Sequence, residues 1–325
     1  MSSETVDSVS SESVSGEFVS GGGSGGGGGP VVAAVDGSTG SGRALEWALA
    51  AARLRGMPLR IVHVRGYDVP LVDGPFASVL ERTENDPVLD HVRASLVGRA
   101  DLPELDFVTV DGSPGRELPR LGGEARLLVL GSRGRGGFAS LLLGSNGLAC
   151  AREAACPVVV VPRPAGGAQP RDPEVPGPDA GPRVVLGLSA PAPDGHSVAF
   201  AFAEAARCGA RLQVIAAYPW PVLSATAAGE FVMKAVADQE TEREYGELAD
   251  ALLTPYRERY SAVPVDVFIA PGDAARHLVE ASRAADLVVV GRHRRRLAPG
   301  RILGSVTQAV LLHAGCPVAV VPPER

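Results

Sequence analysis

The segment Leu127-Leu128-Val129-Leu130-Gly131-Ser132-Arg133-Gly134 decides the fold. Its first four residues are apolar without a break, the pattern of a strand covered by helices on both faces, and such strands belong to parallel sheets. Ten residues beyond Gly134, Gly144-Ser145 opens a stretch of helical periodicity, so strand, glycine-rich loop and helix follow one another. Apolar runs that read as strands fall at 31–35, 59–64, 105–110, 126–130 and 157–161, with helical patterns near 42–55, 86–99, 114–123 and 145–154. This alternation is the signature of βαβ units. Five strands in the order 3-2-1-4-5 make a small α/β domain with an open, doubly wound parallel sheet and helices on both faces.

The pattern occurs twice. Val31-Val32-Ala33-Ala34-Val35-Asp36 is answered by Val184-Val185-Leu186-Gly187-Leu188-Ser189 at an offset of 153. Toward the other end Gly112 pairs with Gly272, Gly131 with Gly291, Gly144-Ser145 with Gly304-Ser305 and Cys156-Pro157 with Cys316-Pro317, all at an offset of 160. The difference places about seven extra residues between the second and third strands of the second copy. Two tandem domains are therefore expected, at 30–163 and 183–325, which suits 325 residues at roughly 150 per domain.

Composition marks the boundaries. Residues 1–29 hold nine Ser and nine Gly and bury too little apolar surface to order, so a disordered leader is expected. Between Pro162 and Pro182, seven Pro and four Gly fill 21 positions, which reads as a semi-extended linker over 164–182. The leader carries −4 of the formal −6, so the folded body is close to neutral and lacks the basic footprint of a nucleic-acid binder. No apolar run approaches the roughly 18 residues of a spanning helix, and the leader has no basic start or apolar core like that of a secretory signal. The expected compartment is the cytoplasm, with neither membrane nor nucleic acid as partner. Cys150, Cys156, Cys208 and Cys316 show no metal-ligand spacing and read as buried reduced thiols, so no metal site is expected.

In an open α/β sheet, ligands bind beyond the carboxyl ends of the strands where the strand order reverses, here between strands one and four. Strand one ends at Asp36, followed by Gly37-Ser38-Thr39-Gly40-Ser41, and strand four ends at Gly131-Ser132-Arg133-Gly134-Arg135. Glycines let a backbone approach phosphate oxygens, Arg133 and Arg135 offer charge-assisted hydrogen bonds, and Ser145 stands at a helix start. Asp36, across the gap, suits a ribose hydroxyl or an exocyclic amine. These residue types point to a nucleoside carrying phosphates. His63, in an apolar strand, reads as a satisfied core histidine and Trp47 as packing.

The spacing Gly131-x2-Gly134-x9-Gly144-Ser145, with Asp36 and the closing Cys156-Pro157-Val158-Val159-Val160-Val161-Pro162, resembles the universal stress proteins, whose ATP-binding members carry this signature. The resemblance covers both copies and implies an ATP-binding stress-response regulatory protein rather than an enzyme, with no catalytic residues. It implies that Asp36 and the backbone around Val62 hold adenosine, while Gly131, Arg133, Gly134, Gly144, Ser145 and Asn146 cradle ribose and phosphates. Whether Mg²⁺ accompanies ATP is left open. In the resembled family the fifth strand makes the dimer edge; here the two copies can pair within one chain, and a homodimer of chains is left open.

The second copy departs from the signature. Ser189 replaces Asp36, and Arg294 replaces the second glycine, so nucleotide is expected mainly in the first repeat. Two other readings stand beside this one. A nucleotide-free interaction scaffold takes the second copy as its pattern. A slow ATP-hydrolysing enzyme is permitted by the scaffold, yet the chain lacks G-x4-G-K-[S/T], and its one lysine is Lys234. Gly134-Arg135-Gly136-Gly137-Phe138-Ala139 fits G-x-G-x-x-A only formally, because it follows the fourth strand and no acidic residue lies near twenty positions on.

Overall fold

The structure is a computed structural model that describes residues 29–66, 85–134, 143–163, 181–190, 194–218, 235–292 and 303–323, with side chains of 235–238 excepted. The leader to residue 28, the linker over 164–180, Arg135 to Ala139, Lys234, His293 to Arg296 and Arg301 lie outside the described residues.

The first repeat runs β1 (Val31–Ala34), α1 (Thr39–Arg55), β2 (Leu59–Arg65), α2 (Pro87–Leu96), β3 (Leu105–Asp111), α3 (Pro114–Leu121), β4 (Leu127–Gly131), α4 (Ser145–Glu153) and β5 (Val158–Val161). The second runs β6 (Arg183–Leu188), α5 (Gly195–Cys208), β7 (Arg211–Tyr218), α6 (Ala235–Arg259), β8 (Val265–Pro271), α7 (Ala274–Ala281), β9 (Leu287–Gly291), α8 (Ser305–His313) and β10 (Val318–Val321). Each repeat has the strand order 3-2-1-4-5, and β5 pairs antiparallel with β10, so one ten-stranded sheet runs β3-β2-β1-β4-β5-β10-β9-β6-β7-β8. The extra length of the second copy falls where α6, 25 residues long, connects β7 to β8.

Strand alternation sorts the core into two layers. Val159, Val161, Ala319 and Val321 join α1, α2, α5 and α6 on one face, while Val158, Val160, Val318 and Val320 join α3, α4, α7 and α8 on the other. Both layers pass without a break from one repeat into the next. The antiparallel register, Val318 opposite Val160 and Val320 opposite Val158, is what keeps each side chain on its layer.

Helix ends differ from the expected limits for local reasons. The first turn of α1 begins at Thr39 rather than near residue 42, because Ser38 Oγ accepts from Ser41 N at 3.2 Å and caps it. Gly56, with φ 59°, closes the same helix in the left-handed conformation. Helix α2 stops at Leu96, short of 99, before Gly98 at φ 77°. Three cysteines are buried as expected, and burial pushes Cys150 and Cys316 up to about 12 and Cys156 to about 11. Cys208 is the correction: it ends α5 and is exposed, because the chain turns there through Gly209.

Two polar networks are set into this frame. Asp86 caps α2 by accepting from Val88 N and Leu89 N, and it also accepts from Thr109 Oγ1 at 2.8 Å and bonds His63 Nδ1 at 2.8 Å. His63 is thus satisfied within the fold, on the sheet face away from Val62 and Val64. The second network crosses between repeats. Arg55, at the end of α1, meets Glu204 of α5 at 2.5 Å, with side chains 5% and 3% exposed, and Arg207 also bonds Glu204. Burial lowers the Arg55 pKa below its ordinary value against the opposing pull of Glu204.

Two predictions follow from these networks. Glu204→Ala leaves Arg55 buried without its carboxylate and should destabilise the chain by about 3–5 kcal/mol, whereas the double variant Arg55→Met, Glu204→Met should lose much less; urea unfolding midpoints distinguish them. For Asp86, burial raises the pKa, but the bonds from His63, Thr109 and Leu89 N outweigh it and hold the carboxyl below its ordinary value. A lowered folded-state pKa contributes stability above the unfolded value, about 3.9, that fades as pH falls through the folded one. Asp86→Ala should therefore cost about 1–2 kcal/mol near pH 5, and the gap to the parent should narrow as pH falls below about 3.9 in acid-dependent urea titrations.

Candidate functional site

The cleft lies where the strand order reverses. From β1 the chain leaves through α1 toward β2 on one face, and from β4 it leaves through α4 toward β5 on the other. Their carboxyl ends are left open between the two helices, and a cavity of about 470 Å³ occupies the gap. That volume is in the range of small-molecule sites.

All eight residues expected from sequence line this one cavity: Asp36, Val62, Gly131, Arg133, Gly134, Gly144, Ser145 and Asn146. Asp36 Oδ1 accepts from Ser38 N at 3.0 Å, and the Asp36 N–H donates to Ser41 Oγ at 3.2 Å, so the β1–α1 turn holds the carboxylate toward the cleft. Its Oδ2 lies so close to Gly134 that a Cβ there would overlap it. A side chain at position 134 would therefore have to turn the Asp36 carboxylate aside, whether or not a ligand is bound.

Gly131 has a second role that the sequence did not disclose. A Cβ on it would come within 2.8 Å of the Gly40 carbonyl, and one on Gly40 within 2.8 Å of the Arg133 carbonyl oxygen. The first turn of α1 thus packs backbone to backbone against the end of β4, and a side chain on either glycine would push the two walls of the cleft apart.

Three helices point their amino termini into the cavity: α1 through Ser41, α3 through Pro114, and α4 through Ser145, Asn146 and Gly147. The N-cap residues of α3 and α4, Ser113 and Gly144, make no side-chain capping bond. The first N–H groups of a helix lack intrahelical acceptors and carry the positive end of its dipole, so the cleft favours an anion. Gly144 N donates to Ser132 O at 2.7 Å, which ties the start of α4 to the loop after β4. The opposite wall is apolar, made by Val62, Val64, Leu118 and Leu130. A flat apolar group against that wall and an anionic tail at the helix starts is the ligand shape this lining suits.

Sequence reading missed Ser41, Ser132, Pro114 and Leu118. Ser41 lies in the first turn of α1, and a helix expected only from near residue 42 leaves it in the loop. Pro114 and Leu118 come from α3, whose approach to the cleft depends on how it packs over β2. Among the described residues lining the cavity, Asp36 is the sole carboxylate, and no His, Cys or Lys joins it. Among all the described residues no cluster of His, Cys, Asp and Glu is placed to hold a metal ion, and no helix is long and apolar enough to cross a membrane.

The second repeat keeps the frame and changes the lining. Ser189 stands for Asp36, Ile215 for Val62, Arg292 for Ser132 and Thr307 for Gly147. Thr307 is buried, and its hydroxyl donates to Gly291 O at 3.0 Å. Ile215 is buried too, and Arg292 points its side chain away into the first repeat.

Comparison with known proteins agrees with this architecture. The Universal stress protein family model matches residues 29–162 and again 182–322. A universal stress protein of Mycobacterium tuberculosis is 34% identical over 89% of this chain and 96% of its own length, and one of Mycolicibacterium smegmatis is 31% identical over 90% and 97%. Among solved structures, a functionally unknown protein from Pseudomonas aeruginosa superposes with TM-score 0.62 at 16% identity, covering 90% of this chain and 92% of its own. A universal stress protein from Archaeoglobus fulgidus gives 0.55 at 17%, covering 91% and 96%, and both show the same fold. With the family model matched in each half and relatives aligned along most of its length, the chain belongs to the universal stress protein family, with two copies of the domain in tandem.

Proposed function

We propose that the chain is a regulatory protein that binds ATP in the cleft of its first repeat and reports occupancy through conformation or partner choice. The observation that carries this reading is the meeting of Asp36, Gly134 and three helix amino termini around one cavity. Asp36 accepts from the ribose or the adenine amine, the apolar wall around Val62 takes the base, and the N–H groups of Ser145 and Asn146, with Gly144 holding the loop close and Arg133 beside it, take the phosphates. Mg²⁺ with the phosphates fits the same reading, since the polyphosphate supplies its oxygen ligands. Binding rather than turnover is favoured because, among the described lining residues, Asp36 is the sole carboxylate and no His, Cys or Lys stands beside it.

The second repeat serves this reading as structure. The changes from Asp36 to Ser189 and from Gly147 to Thr307 remove an anchor and fill space, so one nucleotide per chain is expected. Pairing of β5 with β10 lets the two repeats of one chain serve as each other's partner. The scaffold reading takes its support from that same second repeat, where Ser189 and Thr307 stand in place of Asp36 and Gly147.

Titration calorimetry with ATP tests the proposal, with the expected result a single site per chain. Asp36→Ala removes a charged acceptor and should weaken binding about ten- to hundredfold. Gly134→Arg, which imports the second repeat's residue, should abolish the heat while circular dichroism stays that of the parent. Absence of heat with the parent protein would overturn the reading in favour of the scaffold.

A further inference from the structure

Helix α4 is held at both ends by the same position of the two repeats. Ser132 and Arg292 each follow the glycine that ends the fourth strand of a repeat, and each donates its backbone N–H to the neighbouring fifth strand, Ser132 to Val161 O and Arg292 to Val321 O, both at 2.8 Å. From there they diverge. The Ser132 carbonyl accepts from Gly144 N, the N-cap of α4, at 2.7 Å. Arg292 instead sends its guanidinium across the repeat boundary to the other end of that helix, where Nη1 donates to Ala154 O at 2.7 Å and Ala151 O at 3.4 Å.

We propose that Arg292 is a positioning residue for the first repeat's cleft: the second repeat, through this side chain, fixes the helix that presents Ser145, Asn146 and Gly147 to the cavity. The last carbonyls of a helix have no intrahelical donors and carry the negative end of its dipole, so a cation placed there satisfies both needs. Arg292 is 8% exposed, which makes its bonds to those carbonyls costly to lose. Nine residues at 1.5 Å each put the two ends of α4 about 13 Å apart, short enough for a rigid helix to carry displacement at one end to the other. Arg55–Glu204 does the same for α1 on the opposite face, so the two helices flanking the cleft are both braced from the second repeat. The arrangement follows from the antiparallel β5–β10 pairing, which sets the carboxyl end of β9 beside the end of α4.

The ligand arm of this inference rests on the cleft being a nucleotide site, and its structural arm does not. The test compares the full-length parent, Arg292→Met, Arg292→Lys and, as a control, Leu253→Ala, which empties a buried position in α6 away from α4. Amide hydrogen exchange without ligand should show α4 loosened in Arg292→Met relative to both parent and control, with Arg292→Lys in between. ATP affinity by calorimetry should fall about five- to tenfold in Arg292→Met, recover most of that in Arg292→Lys and stay within twofold of the parent in Leu253→Ala. Unchanged α4 exchange in Arg292→Met overturns the inference, and so does a loosened α4 with unchanged affinity. If the parent itself takes no ATP, the nucleotide reading fails alone, and the exchange arm still decides whether Arg292 holds α4. Should Arg292→Met not fold, Arg292→Lys decides both arms.

Discussion

Antiparallel pairing of β5 with β10 is the constraint on which the rest of the molecule depends. Both strands are apolar on both faces, and an unpaired edge of that kind leaves a row of N–H and C=O groups open to any other strand. Placing Val158–Val160 against Val318–Val320 closes the two edges on each other and merges two five-stranded sheets into one. Because the pairing is antiparallel, the repeats are related by an approximate two-fold axis, and the carboxyl end of one half-sheet lies beside the amino end of the other. Every contact between repeats inherits this geometry, including Arg55 with Glu204 and Arg292 with the end of α4.

Two-fold frames invite symmetric function, and this one has been made asymmetric by a few side chains. In the first repeat the cleft keeps a carboxylate and small residues, Asp36, Ser132 and Gly147. In the second, Ser189, Arg292 and Thr307 stand at the same places, and the two larger ones are buried and bonded elsewhere. Polar groups buried with their partners in place stabilise a unique arrangement, whereas the same groups lining an open cleft are left for a ligand. The first repeat thus keeps an open cleft lined by a carboxylate and small residues, while side chains of the second reach across to α1 and to the end of α4.

Much of this could be read before any coordinates. Continuous apolar runs at Leu127–Leu130 and Val158–Val161 announced a sheet covered on both faces, and the 153 and 160 offsets announced the duplication. The cleft lining was legible in the β4 loop because that loop follows a strand end where the strand order reverses and leads into a helix start. What stayed hidden depended on tertiary approach. Gly131 reads as a phosphate-loop glycine, yet it also lets α1 touch β4 through Gly40. Arg292 stands among several arginines in sequence, and only the strand pairing shows that it lies beside the end of α4. Cys208 reads like the other thiols when judged by its apolar neighbours, yet Gly209 directly after it ends the helix and leaves it exposed.

The central claim is that one cleft, in the first repeat, accepts an adenine nucleotide while its counterpart does not. Backbone amide spectra of isotope-labelled protein titrated with ATP test this most directly, residue by residue. The account predicts shifts at Asp36, Gly131, Gly134, Ser145 and Asn146 that saturate together, with Ser189, Gly291, Ser305 and Val306 unmoved. Equal shifts in both sets, or shifts confined to the second, would contradict it.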